Sequence, residues 1–164
     1  MYEPYPTSGQ MPEPQRIPPP RSVQNAVKLM YAGAAVEVIA LVVALIARNS
    51  MKSALLKLHP NYTAAQLHTA VNTQTVSLVI GAAIATGLWL CMAWANGRGY
   101  NWARILSAVF FGISTLDLFV TFAAVRAPGS LIVGFVIWLI GLATIVLLFN
   151  RESSAFFRQP PAFR

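Results

Sequence analysis

Four apolar runs divide this chain: Val27 to Ala47, Thr75 to Ala95, Ala103 to Ala124 and Leu131 to Phe149. Each is about 20 residues, or roughly 30 Å of helix, which matches the hydrocarbon thickness of a bilayer. The breaks between them differ in length. Asn96-Gly97-Arg98-Gly99-Tyr100-Asn101 reads as a tight turn, and Ala127-Pro128-Gly129-Ser130 as another, so the second, third and fourth spans are expected to be antiparallel neighbours. The longer break from Arg48 to Gln74 carries structure of its own. Thr63 and Gln66 make a capping-box pattern after Pro60, which predicts a helix starting at Ala64 and running into the second span. Before it, Met51, Leu55 and Leu58 share a helical face suited to the membrane surface.

The pattern predicts an all-α, polytopic membrane protein: an antiparallel bundle of four transmembrane helices over 25–150, with disordered tails. Residues 1–24 form a proline-rich tail, with Pro18-Pro19-Pro20 favouring local polyproline II and too few aliphatic residues to bury. Glu3, Glu13 and the prolines argue against a cleaved signal, so the first span is expected to stay attached. Residues 151–164 form a C-terminal tail. Its Phe156, Phe157, Arg158 and Phe163 suit either docking on the inner leaflet or a disordered end.

Composition agrees with this pattern. Of 164 residues, 56% are hydrophobic and only 10% charged, with a mean hydropathy of +0.57, so bilayer rather than water is the expected solvent. The formal charge of +7 is spread over segment ends and tails, not gathered on one face. Anionic lipid headgroups are therefore the expected counter-charge, not nucleic acid. Arg16, Arg21, Lys28, Arg98, Arg104, Arg151, Arg158 and Arg164 fall on one side of the spans; Arg48, Lys52, Lys57 and Arg126 fall on the other. The positive-inside rule then places both termini in the cytoplasm of a cell whose plasma membrane holds the protein. Trp94, Tyr100 and Trp102 beside Arg98 and Arg104 fit an aromatic belt at that inner interface. The one cysteine, Cys91, cannot form an intrachain disulfide and reads as packing filler.

The words Ala26-Val27-Lys28-Leu29-Met30-Tyr31-Ala32-Gly33-Ala34, Trp102-Ala103-Arg104 and Arg151-Glu152-Ser153, together with the proline-rich tail, resemble a group of four-helix membrane proteins from high-GC Gram-positive bacteria. That resemblance implies topology and carries no biochemical activity. The words Gly33-Ala34-Ala35-Val36-Glu37-Val38-Ile39 also resemble the small multidrug resistance exporters. Those have short loops and aromatic motifs of their own in later helices, whereas this chain has a long first loop and a proline tail.

Two of the five acidic residues lie inside spans: Glu37 in the first and Asp117 in the third. An acidic residue at a helix centre costs about 2.5 to 3.5 kcal/mol on the insertion scale, which the surrounding Val, Ile and Leu residues roughly offset. Glu37 shares a face with Met30, Gly33, Ala34, Ala40 and Ala44, a small-residue stripe that lets a neighbouring helix approach. Asp117 shares its face with Ser114 and Thr121, which offer hydroxyl partners. Both faces are expected to point inward, with the carboxyls about 4 Å apart in depth by helical rise and able to meet. No Lys or Arg lies at that depth, so the pair reads either as a proton or cation site or as interhelical hydrogen bonding. Gly81 with Ala85, Ala83 with Gly87, and Ala108 with Gly112 are expected to serve intrachain helix packing ahead of dimerisation.

No nucleophilic triad, phosphate loop or two-histidine spacing is present, so an enzyme is not expected. Neither a cofactor nor a metal is expected, since His59 and His68 lack further ligands nearby. The expected function is that of an accessory or scaffolding membrane protein whose proline-rich tail engages cytoplasmic protein partners. The alternative is a homo-oligomeric proton- or cation-coupled small-molecule transporter that uses Glu37 with Asp117.

Overall fold

The computed structural model describes residues 18–123 and 128–158, apart from a few side chains. Among these residues the chain forms helices only: α1 (Arg21–Ile46), α2 (Arg48–Leu58), α3 (Ala64–Gly97), α4 (Asn101–Ala123), α5 (Pro128–Leu148) and α6 (Arg151–Arg158). Helices α1, α3, α4 and α5 are each long and apolar enough to cross a membrane. The protein is thus an all-α, multi-pass membrane protein. Its exposed surface includes Ile39 (62%), Leu116 (67%) and Phe119 (70%), a skin matched to hydrocarbon and not to water. The expected tail from Met1 to Ile17, and the segments 124–127 and 159–164, lie outside the described residues.

The four long helices form a ring. Helix α1 packs against α3 and α5; α4 packs against α5 and, more slightly, against α3. That makes α1 and α4 diagonal to each other. Close packing is concentrated at one end, here called the base, where α1 begins, α3 ends, α4 begins and α5 ends. Val23, Ala26 and Met30 of α1 meet Met92, Ala93 and Ala95 of α3, Ala103 of α4, Leu148 of α5 and Phe157 of α6 in one buried cluster. Beyond Ser107 no described side chain of α4 is buried, and in α5 only Thr144 and Leu148 are.

Two local devices hold the base. The α3–α4 connection is a Schellman turn: the Tyr100 amide donates to the Ala95 carbonyl (3.2 Å) and the Gly99 amide to Asn96 (3.0 Å), closing the last turn of α3. Gly99 takes φ 79°, the left-handed conformation that this turn requires at its C′ position. The second device is α6. Asn150 caps it, its Oδ1 accepting from the Arg151 amide (2.7 Å), and the helix folds back beneath the bundle. Ser153 lies 2.9 Å from the Ser22 hydroxyl and 2.6 Å from the Leu147 carbonyl, so it can donate to the carbonyl and accept from Ser22.

Two boundaries differ from the sequence expectation. Helix α1 starts at Arg21, inside the segment read as tail, because the stripe Val23, Ala26 and Val27 continues the buried face of α1 downward past the membrane-spanning length. Residues 151–158, read as part of a tail, are a helix whose Ser153 and Phe157 are buried. The small-residue pairs also differ: a side chain added at Gly81, Gly87 or Gly112 would meet nothing within 4 Å, so these glycines do not serve intrachain packing.

At the opposite end the capping box is present as read. The Thr63 side chain accepts from the Gln66 amide (3.3 Å) and the Gln66 side chain from the Thr63 amide (2.9 Å). Helix α2 is tied to α3 by Arg48, which donates to Asn72 Oδ1, while Asn72 Nδ2 contacts His68 Nδ1 at 3.3 Å. Met51 and Leu55 are half-buried on one side of α2; Leu58 is exposed.

The Gly99 turn yields a first prediction. A Cβ there would lie 2.8 Å from the Phe156 ring in a backbone conformation that L residues avoid. Gly99→Ala is expected to cost about 1–3 kcal/mol of stability, read as an earlier unfolding midpoint in mixed micelles of mild detergent and dodecyl sulfate. Adding Phe156→Ala should remove the ring contact but not the φ cost; a Gly99→Ala variant as stable as the parent would contradict the turn.

Candidate functional site

A cavity of about 280 Å³ lies inside the ring, with walls from all four long helices. Its floor is Met30 and Met92, the upper surface of the basal cluster. Trp89, Phe110 and Phe111 supply aromatic walls; Ile137, Gly141 and Ile145 supply the α5 side. Only four lining residues are polar: Glu37, Ser107, Ser114 and Thr144. Leu88 of α3 and Ile113 of α4 line the cavity and are also exposed, 39% and 58%, which puts its mouth between α3 and α4. Those two helices make the slightest contact in the ring.

Local sequence explains the shape. The indole of Trp89 lies flat against the space that Gly33 leaves empty: a Cβ on Gly33 would sit 2.9 Å from Trp89 Cε2. Gly141 likewise receives the Phe111 ring, 3.0 Å from where its Cβ would be. Glycine on one helix thus seats an aromatic ring from its neighbour. The α4–α5 wall is stiffened by Trp138, whose indole N–H donates to Thr115 Oγ1 at 3.0 Å and whose ring stacks with Phe135 and tilts against Phe111.

The polar groups divide into satisfied and unsatisfied. Thr144 donates to the Ile140 carbonyl (2.8 Å), the usual refuge of a hydroxyl inside a helix. Ser107 accepts from Asn96 Nδ2 (3.0 Å), which leaves its own proton available to an occupant of the cavity. Asn96 also donates to the Met92 carbonyl (2.9 Å), while its Oδ1 is buried without a partner. Glu37 is half-buried, and among the described residues it has neither a hydrogen bond nor an ion pair. A carboxyl facing a mostly apolar chamber without a protein partner is a ready binder of a proton or of a ligand cation.

Of the residues singled out by sequence, Glu37 and Ser114 line this cavity and Asp117 does not. Asp117 is exposed, on a helix diagonal to α1, so the structure does not bring the two carboxyls together. The physical reason is the looseness of the bundle above its base: Asp117 follows Phe110 and Ser114 on their stripe but lies nearly three turns beyond Ser107, the last buried residue of α4 among those described. Thr121 falls in α4, and its side chain lies outside the described residues. Trp89, Ser107 and Thr144 were not singled out by sequence, although a hydroxyl in an otherwise aliphatic run is the signal that Ser107 and Thr144 offered. His59 stacks on Tyr62 (4.6 Å between centroids), and no cluster of three metal-binding side chains occurs among the described residues.

The Gly33 contact can be tested. Gly33→Ala is expected to push the Trp89 indole toward the cavity, changing its emission in a protein whose other three tryptophans are phenylalanine; an unchanged spectrum would contradict the contact. Comparison with protein-family models, with curated proteins and with solved structures gave no match to this chain.

Proposed function

We propose that this protein is a small carrier of the plasma membrane that binds a compact lipophilic cation in the central cavity and exchanges it for a proton at Glu37. The observation that carries this reading is the single carboxyl, unpartnered among the described residues, in a chamber of about 280 Å³ with otherwise almost wholly apolar walls. An apolar body with one positive charge complements such a chamber. Its hydrocarbon part meets Met30, Phe110, Phe111 and Ile145; its charge meets Glu37 and the face of Trp89, a cation–π contact worth about 2 kcal/mol when desolvated. Ser107 and Ser114 add hydroxyls for a polar substituent.

The mouth between α3 and α4 supports entry from the bilayer, where a lipophilic cation already concentrates. Proton and ligand compete because one carboxyl serves both: binding the cation needs the charged form, and losing the cation leaves a charge that a proton neutralises. Asp117 has no part in this reading because it stands outside the cavity lining. In the proposed orientation both termini and the base face the cytoplasm, as the distribution of Lys and Arg favours.

Reconstituted protein should release protons when benzyltrimethylammonium is added, and bind it with quenching of tryptophan emission. Glu37→Gln, nearly isosteric but unable to ionise, is expected to abolish proton release and weaken binding at least tenfold, about 1.4 kcal/mol or more. Asp117→Asn should leave both intact. Absence of binding and of proton release across a panel of such cations would refute a carrier and leave an accessory role.

A further inference from the structure

Outside the cavity, the groups with the least internal explanation are two arginines at the base. Arg104, one turn into α4, is held in place from three sides. Its Nη2 donates to Ser154 Oγ at 3.0 Å, and its guanidinium lies 4.0 Å from the Phe149 ring centroid and 5.6 Å from that of Phe157. Its Nε is buried without a partner. Arg158, at the end of α6, follows Ser154 by four residues and so shares the face of α6 that Arg104 touches. Among the described residues neither guanidinium is paired with a carboxylate. The fold thus places two like charges on one side of the base and orients one of them with two aromatic rings, with no carboxylate among the described residues to balance them.

The position identifies the missing anion. Trp94, Tyr100 and Trp102 ring the same end of the bundle, with Arg98 stacked 4.0 Å over Trp94, the arrangement of residues that settle at the headgroup level. At that depth the abundant anion is a lipid phosphate. Ser154 accepts from Arg104, so its own hydroxyl proton is free to point outward beside the guanidinium.

We infer that Arg104, Arg158 and Ser154 form a clamp for the phosphate of one anionic phospholipid, closed when α6 docks beneath the bundle. Guanidinium donors suit phosphate oxygens in pairs, which a diffuse basic surface does not require. Two adjacent cations discriminate against a zwitterionic headgroup, whose ammonium they repel. The clamp shares no residue with the cavity lining, so it stands or falls independently of the carrier reading.

The full-length protein in mild detergent, titrated with phosphatidylglycerol and followed by native mass spectrometry and thermal unfolding, tests it. One tightly held phosphatidylglycerol is expected, with a raised melting temperature, at least tenfold tighter than phosphatidylcholine. Arg158→Gln alters an exposed side chain and should fold normally, yet weaken that first lipid at least fivefold and lose the thermal shift. Arg104→Lys, which keeps the charge but not the paired donors, should weaken it as well. Equal binding of phosphatidylcholine, or an unchanged affinity in Arg158→Gln, would overturn the clamp. Stabilisation by soluble glycerol 3-phosphate to the same extent would overturn the lipid as its occupant.

Discussion

Hydrocarbon offers no hydrogen-bonding partner, and most of this structure follows from that single deprivation. Backbone groups are satisfied by long helices, and polar side chains within those helices turn back on their own backbone. Thr75 donates to the Val71 carbonyl, Thr115 to Phe111 and Thr144 to Ile140, each four residues back and at 2.7 to 2.8 Å. Asn96 does the same with Met92 and has a donor left for Ser107 on the next helix. Glu37 has no such refuge, because an ionised carboxyl can only accept and the carbonyls of its own helix also only accept. The chain instead leaves it beside a chamber, and that exception gives the bundle a chemically distinctive interior.

The chamber exists because α4 and α5 bury their described side chains only near the base. At the base, the Schellman turn at Gly99, the α6 strut and the buried cluster around Met30 fix the relative positions of four helices. Farther up, α3 and α4 are joined by little, and bulky aromatic rings are seated on Gly33 and Gly141. A single glycine in each case replaces a side chain that would otherwise fill the space. Close packing at the base and large rings above it therefore generate an internal void without any loop or insertion.

Much of this was legible in the residues, and what was missed has a common cause. Four spans, the Thr63–Gln66 cap and the turn at Gly97 to Gly99 are local signals, set by residues within a few positions of one another, and each appears as read. The start of α1 and the docking of α6 depend on each other, since Ser22 and Ser153 are 131 positions apart and each looks like tail in isolation. The inward face of α1 was readable from its small residues, and Glu37 does line the interior. Asp117 was not readable in the same way. Its stripe is inward by periodicity, but how far up the bundle that stripe stays covered depends on how closely α3 and α4 pack, which periodicity does not encode. Gly81, Gly87 and Gly112 teach the same lesson, because small spacing permits close approach without supplying a neighbour.

The base and the chamber are mechanically one object, because Met30 and Met92 belong to both. Methionine is an apt residue for that position: unbranched and polarisable, it can change rotamer to follow an occupant without opening a void beneath. The Asn96–Ser107 contact runs beside them, joining the last turn of α3 to a hydroxyl that faces the cavity. Asn96 lies three residues before Gly99, whose turn rests on Phe156 of α6, so the amide at the chamber's edge and the strut under the base are separated by one turn of helix. The carboxyl, in contrast, sits two helical turns above Met30 on α1, the helix most firmly seated of the four, so the floor can adjust while the charged group keeps its place.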